Sequence, residues 1–202
     1  MRNMANENYA QDTVPIKNTV KVAIEQLLDA LMIDWQNDPN TKNTPDRVAK
    51  MYTEKILGGR FSPMPESTIF PNTRKVDELY TVGAIPVAGV CSHHLLPIEG
   101  HVWIGVIPGN NLLGLSKFAR LAQWVFARPQ IQEEATDQLA EVIEKILKPK
   151  GLGVICKANH ACMTLRGVKS HGTKMTTSVL KGLLKREEAK GEFLEFVKGM
   201  EF

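Results

Sequence analysis

The sequence has few cysteines, no long apolar run and no strong excess of one charge. Its three cysteines, Cys91, Cys156 and Cys162, are an odd number, which argues against a secreted disulfide framework and suits a reducing compartment. No apolar run approaches the roughly 20 residues that a membrane span needs. The N-terminal residues are polar where a signal peptide needs an apolar core. We therefore expect a cytoplasmic protein without a membrane partner.

The charge balance gives no sign of a nucleic-acid surface. The formal net charge is +3, and the lysines and arginines are spread along the chain, whereas nucleic-acid binding favours a basic run or patch. Apolar residues make up 43% and charged residues 23%, as in an ordinary globular protein. We expect no nucleic-acid partner, although a local anion site stays possible.

Apolar periodicity predicts the order of the elements. The predicted helices cover residues 20–33, 44–56, 116–126, 131–147 and 185–197. The predicted strands cover residues 79–90, 98–107, 153–165 and 173–180. Thr44 is predicted to cap the second helix with its side chain, with Pro45 in the first helical position. This order predicts an α+β fold.

The chain is predicted to have a single main domain with an N-terminal extension. Residues 1–19 are polar and are predicted to be a mobile tail. Residues 20–60 form a helical segment, and residues 61–202 form the catalytic domain. Two-thirds of the chain thus belongs to one core, which is the size expected for a typical domain.

Two short motifs could bind a metal ion together. Cys91-Ser-His-His94 lies in a turn between predicted strands, where a Cys-x-x-His spacing lets the first and fourth side chains converge. His160-Ala-Cys162 lies on a predicted strand, where residues two apart share a face. Two thiolates and one imidazole would leave a zinc ion with an open fourth position for water, which is typical of a catalytic site.

An ordinary structural explanation competes with each of these motifs. A free cysteine is commonly a small buried hydrophobe, and a strand histidine is commonly a hydrogen-bonded core residue. We assign Cys156 to the core. The clustering of the other cysteines with histidines favours a metal site, in which the non-ligating His93 and His160 could act as general acids and bases. The pattern then fits a hydrolase.

Basic residues recur near the predicted helix starts and just beyond Cys162. Helix N-termini and arginine side chains suit phosphate oxygens, while the alternative for each residue is a solvated charge on a helix face. The residues concerned are Arg47, Lys50, Lys117, Arg120 and Arg166.

The sequence closely resembles GTP cyclohydrolase I. The resemblance covers residues 20–200 and is carried by several motifs in the order of that family. The matching blocks are Thr44-Pro-Asp-Arg-Val-Ala-Lys-Met-Tyr52, Cys91-Ser-His-His94, Gly114-Leu-Ser-Lys117, Arg128-Pro-Gln-Ile-Gln-Glu133, His160-Ala-Cys162 with Arg166-Gly167, and Thr176-Thr-Ser178.

The resemblance implies a fold, an assembly and a reaction. The fold is the tunnelling fold, an antiparallel sheet with helices on one face and N-terminal helices, closed into an oligomeric barrel. The assembly is a homo-oligomer, commonly a decamer of two pentamers. The reaction converts GTP and water into formate and 7,8-dihydroneopterin triphosphate, the first step of pterin and tetrahydrofolate biosynthesis.

The resemblance also implies roles for individual residues. Cys91, His94 and Cys162 would hold zinc. His93 would protonate the imidazole ring of guanine, and His160 would serve later proton transfers around ribose opening. The substrate contacts implied are Glu133 with Gln132 for the guanine edge, Ser116 for the ribose, and Arg47, Lys50, Lys117, Arg120 and Arg166 for the triphosphate.

Two positions fit the resemblance less easily. Periodicity places Glu133 on the polar side of its helix, so that its role would need a subunit interface there. Ser92 stands where the family commonly has glutamate, which could alter the acidity of His93. Two alternatives therefore stay open: a nucleotide-binding protein with structural zinc, and a variant that stops at the ring-opened intermediate.

Overall fold

The computed structural model describes residues 13–200. The chain divides into two compact units, one ending at Pro63 and the other beginning at Met64. The first helix begins at Thr13, earlier than the predicted start at residue 20. The prediction followed an apolar repeat that starts at Val20, so it missed the turns of the helix before that residue. The rest of the predicted N-terminal tail lies outside the described residues.

The N-terminal unit is helical. Its elements are α1 (Thr13–Ala30), α2 (Thr44–Lys50), a π-helical segment (Met51–Ile56) and α3 (Gly58–Phe61). Lys21 of α1 forms an ion pair of 2.8 Å with Asp46 of α2, and Lys17 forms one of 3.1 Å with Glu54. These contacts fasten the first helix to the two segments that follow it.

The start of α2 differs in one detail from the prediction. Thr44 is the first helical residue, and Asn43 occupies the N-cap position without a side-chain hydrogen bond to the helix. The predicted capping role of Thr44 is therefore wrong. Pro45 is buried in the first turn, where its missing N–H leaves no donor unsatisfied.

The C-terminal unit contains seven strands, four α-helices and a short 3₁₀-helix (Leu183–Lys185) among the residues that the structure describes. The strands are β1 (Ile69–Pro71), β2 (Tyr80–Cys91), β3 (Pro97–Ile107), β4 (Asn111–Leu113), β5 (Pro129–Gln130), β6 (Gly151–His160) and β7 (Lys174–Gly182). The helices are α4 (Leu115–Phe126), α5 (Gln132–Leu147), α6 (Ala161–Thr164) and α7 (Glu187–Gly199). The α+β fold class is thus confirmed.

The five-stranded sheet has the order β5-β2-β3-β6-β7, and β1 pairs with β4 apart from it. The four long strands are antiparallel neighbours, whereas β5 pairs with the end of β2 in parallel. Sequence analysis missed β1, β4 and β5, because strands of two or three residues are too short to show alternation.

Helices cover both faces of the sheet, which corrects the prediction of one covered face. On β3, Val102, Ile104 and Val106 pack into the core beneath α4 and α5. Trp103 and Ile107 point the other way and pack with residues of α7. The alternation of strand side chains explains the two cores: β3 is apolar on both faces and therefore needs cover on both.

A pair of glycines receives the main aromatic side chain of α7. Gly105 of β3 and Gly153 of β6 are register partners, and a Cβ atom on either would lie 2.6 or 2.7 Å from the Phe193 ring. The ring, which is fully buried, rests directly on the strand backbones. Only glycine at both positions allows this close approach.

No helix of residues 13–200 combines the length and apolar character that crossing a bilayer demands.

Candidate metal centre

The end of β2 and the turn that follows position the first two candidate ligands. Cys91 is the last residue of β2 and is buried. Its N–H donates to the carbonyl of Leu96, and its carbonyl accepts from the N–H of Leu95, both at 2.9 Å. These paired bonds close a tight turn through Ser92, His93 and His94, so that the chain reverses directly into β3 and the histidines lie beside Cys91.

The third candidate ligand comes from the other side of β3. Ile98 of β3 pairs with His160, the last residue of β6, so the chain leaves β6 next to the Cys91 turn. Cys162 lies in the short helix α6. The predicted strand through Cys162 is therefore wrong, and its convergence on the site comes from a helical turn instead of the alternation of a strand.

The three side chains form one compact donor group. The ligand atoms of Cys91, His94 and Cys162 all lie within 4.8 Å of one another, and they are the only such group of three or more in the described part of the chain. Nδ1 of His94 lies 3.9 Å from Sγ of Cys91. Two thiolates and one imidazole suit a thiophilic ion such as zinc, so the residues fit the metal that the sequence predicts.

Neighbouring groups surround this donor set. Nδ1 of His93 lies 3.6 Å from Sγ of Cys91. Nη1 of Arg166 lies 2.7 Å from Nε2 of His94. Burial and the neighbouring Cys91 raise the pKa of the Cys162 thiol. A cation at the site would oppose this effect, because ligating thiols lose their protons.

The short strand β5 brings the start of α5 to the same edge of the sheet. Gln130 pairs with Cys91 across the parallel β2–β5 contact, and α5 begins two residues later at Gln132. Nε2 of His160 lies 2.8 Å from Oε1 of Gln132. Burial lowers the pKa of His160, while the charge of Glu133 opposes this shift. The predicted catalytic histidine and the predicted guanine-binding segment are thus neighbours.

The side chain of Gln132, a predicted guanine contact, points into the protein. Its side chain is buried, with only 1% exposed, and its amide nitrogen bonds inside the protein to Cys156, Met175 and Thr177. Its amide oxygen faces His160. Both ends of the amide thus have hydrogen-bond partners inside the protein.

The remaining predicted substrate contacts are spread over three elements. Glu133 is exposed in the first turn of α5, and Ser116 and Arg120 are exposed on α4, where Lys117 is half-buried. Within the described residues, no hydrogen bond or ion pair joins these side chains to the metal-binding group. Arg47 and Lys50 belong to the N-terminal unit and are exposed on α2.

The hydroxyl groups around Gln132 are a part of the site that sequence reasoning missed. Thr136 and Thr177 are joined at 2.7 Å beside the Gln132 side chain. A threonine one turn into an amphipathic helix, four residues after Gln132, was the available signal, because residues at this spacing share a helix face.

Cys156 lies in the core as predicted, with no exposed surface.

The Cys–His–Cys donor group is typical of a metalloenzyme. A family model described as GTP cyclohydrolase I matches residues 20–198. The chain therefore belongs to the GTP cyclohydrolase I family of enzymes.

Curated relatives agree with this family assignment over most of the chain. GTP cyclohydrolase 1 of Streptococcus thermophilus is 41% identical over 85% of this chain and 92% of its own. The Bacillus subtilis protein of the same name is 39% identical over 90% and 96%, and the Aquifex aeolicus protein is 38% identical over 91% and 98%. Among solved structures, the apo form of the archaeosine synthase QueF-Like matches 60% of this chain and 96% of its own, with a TM-score of 0.40 and 16% identity. This similarity is too weak to bear on fold or function.

Proposed function

We propose that the protein hydrolyses GTP to formate and 7,8-dihydroneopterin triphosphate at a zinc ion held by Cys91, His94 and Cys162. The observation that carries the proposal is the convergence of these three side chains within 4.8 Å, from two distant segments, in a chain of the GTP cyclohydrolase I family. When bound there, zinc would act as a Lewis acid and lower the pKa of a water molecule to about 7.

The histidines next to the metal-binding group would move protons. His93 is exposed beside Cys91 and would donate a proton to the imidazole ring of guanine. His160 is half-buried at the end of β6 and would serve the proton transfers around ribose opening. Both histidines belong to the two segments that supply the ligands, so each would act close to the same substrate.

Charged side chains would bind the two ends of GTP. The exposed carboxylate of Glu133 would accept hydrogen bonds from the N1 and amino groups of guanine. Ser116 would contact the ribose. The cations proposed to bind the triphosphate are Lys117, Arg120, Arg166, Arg47 and Lys50.

We further propose that the protein acts as a homo-oligomer of the tunnelling fold, a decamer of two pentamers. In the structure β7 pairs only with β6 among the described strands, which leaves a nine-residue edge suited to a strand of another copy. The free thiols of the three cysteines suit a reducing compartment, and the cytoplasm is the compartment that we propose.

Formate release and zinc content, measured on the same sample, test the proposed activity. The protein with zinc should release one formate per GTP consumed, and mass spectrometry should identify 7,8-dihydroneopterin triphosphate. His93→Ala should keep the metal and lose most turnover. A ring-opened product would support the variant that stops before cyclisation, and tightly held zinc without formate would support the structural-zinc alternative.

A further inference from the structure

Gln132 connects the start of α5 to two strands and to His160. Its side chain is buried beneath the first turn of the helix. The amide nitrogen donates to the carbonyl oxygens of Cys156 at 3.1 Å and Met175 at 3.2 Å. The amide oxygen lies 2.8 Å from Nε2 of His160. Every polar atom of this side chain thus has a partner inside the protein.

The two carbonyl partners determine which way the amide points. A carbonyl oxygen only accepts hydrogen bonds, so the end of the amide that faces Cys156 and Met175 must be the NH₂ group. The opposite orientation would set the amide oxygen against two carbonyl oxygens in a buried site, where unmade hydrogen bonds are costly. Oε1 of Gln132 must therefore face His160.

Two threonine hydroxyls support the same orientation. Thr136 donates its one hydroxyl hydrogen to the carbonyl of Gln132 at 2.8 Å. The bond of 2.7 Å between Thr136 and Thr177 must then use the hydrogen of Thr177. The oxygen of Thr177 is left as an acceptor, and the amide nitrogen of Gln132 lies 3.1 Å from it. Every bond in this network then runs from a donor to an acceptor, with the two amide hydrogens shared among three acceptors.

The network decides which nitrogen of His160 carries the hydrogen. Because Oε1 of Gln132 can only accept, Nε2 of His160 must donate, and the neutral imidazole then has its lone pair on Nδ1. An imidazole held in one tautomer presents one defined nitrogen to accept a proton, whereas a free imidazole divides its population between two tautomers.

We propose that Gln132 is a positioning residue, which holds His160 with its hydrogen on Nε2 and leaves Nδ1 as the nitrogen that exchanges protons with the substrate. This role replaces the predicted contact between Gln132 and guanine. Its effect on turnover rests on the proposed function, whereas the tautomer of His160 does not.

Nitrogen-15 NMR spectra of histidine-labelled, zinc-loaded protein test the tautomer directly. Recorded above the pKa of the imidazole, the His160 signals, assigned by their loss in His160→Gln, should show the hydrogen on Nε2. In Gln132→Met the hydrogen should be divided between the two nitrogens. Gln130→Met is the matched control, since Gln130 is also buried but donates to Val125 at 2.6 Å, and its spectrum should match the unmodified protein.

Steady-state kinetics of the same variants test the consequence for turnover. Gln132→Met should lower kcat about tenfold or more, because one positioned proton-transfer group commonly contributes a factor of at least a hundred. The KM for GTP should change by less than about twofold, because no substrate contact is lost. Gln130→Met should leave both constants close to their original values.

The outcomes separate the two proposals. A hydrogen on Nδ1 of His160 in the unmodified protein would overturn the positioning role without any need for a folded variant. A raised KM for GTP with unchanged kcat in Gln132→Met would restore the guanine contact. If the unmodified protein releases no formate, the proposed function fails, and the NMR spectra still decide the role of Gln132.

Discussion

Arg166 donates a hydrogen bond of 2.7 Å to Nε2 of His94, which joins a predicted phosphate-binding cation to a candidate metal ligand. The guanidinium group has only donors, so the contact uses the single lone pair of the neutral imidazole, and a metal ion bound to either nitrogen of His94 would end this contact. Arg166 is exposed, and its remaining N–H groups stay available for an anion. A predicted triphosphate contact and a candidate metal ligand are therefore adjacent in the fold.

Arg166→Ala should weaken GTP binding. Loss of a hydrogen bond to a charged group commonly costs about 1.5–3 kcal/mol, so the dissociation constant for GTP should rise by about tenfold to a hundredfold. Binding of guanosine, which lacks phosphates, should not change, and calorimetric titration with both ligands measures the difference. Equal weakening for both ligands would assign Arg166 to the metal site alone.

Removal of a candidate ligand should empty the metal site. Cys162→Ala and His94→Ala should each lower the zinc content of purified protein well below one ion per chain, as measured by mass spectrometry of the metal. Cys156→Ala is the control, because Cys156 is fully buried and is not one of the three side chains of the donor group. It should keep its zinc and lose about 1 kcal/mol of stability. Normal zinc content in Cys162→Ala would remove that residue from the site.

Glu133 and its neighbour Glu134 form a matched pair for a test of guanine recognition. Both are exposed in the first turn of α5, so both interact similarly with the helix dipole. Glu133→Gln should raise the KM for GTP about tenfold to a hundredfold, because charge-assisted hydrogen bonds to the guanine edge are weakened. Glu134→Gln should leave the KM unchanged. Equal effects of the two substitutions would mean that the helix terminus, not a guanine contact, is responsible.

Tyr80 should make the fold sensitive to alkali. Burial raises the pKa of its phenol to about 12 from the ordinary 10.0, so its contribution to stability is complete below pH 10.0 and is lost as the pH rises through about 12. Urea unfolding across this range should show a shallower loss of stability in Tyr80→Phe, which keeps the edge-on ring contact with Phe118. Identical pH dependence in the two proteins would contradict this account.

The long elements of the C-terminal unit could be predicted from the sequence, because their apolar residues repeat with a clear period over many positions. Strands β2, β3 and β7 and helices α4 and α5 begin and end within two residues of the predicted bounds. The π-helical segment after Lys50 could not be distinguished from an α-helix, since the two differ little in apolar spacing.

The site was predictable in its residue types but not in its geometry. The spacing of Cys91 and His94 pointed to a shared ion, and the structure brings them together with Cys162. The backbone at Cys162 was mispredicted because a helix of four residues has no periodicity. The burial of Gln132 was also out of reach, since its partners Met175 and Thr177 lie on a strand distant in sequence.

The glycine pair beneath Phe193 has a consequence for biosynthesis. Neither Gly105 nor Gly153 contributes a side chain to the centre of that sheet face, so the apolar cover there comes from a helix that the ribosome makes after every strand. In the nascent chain this apolar face of the sheet therefore stays exposed until α7 has been synthesised. Chaperones that bind exposed apolar surfaces would bind the chain at that stage.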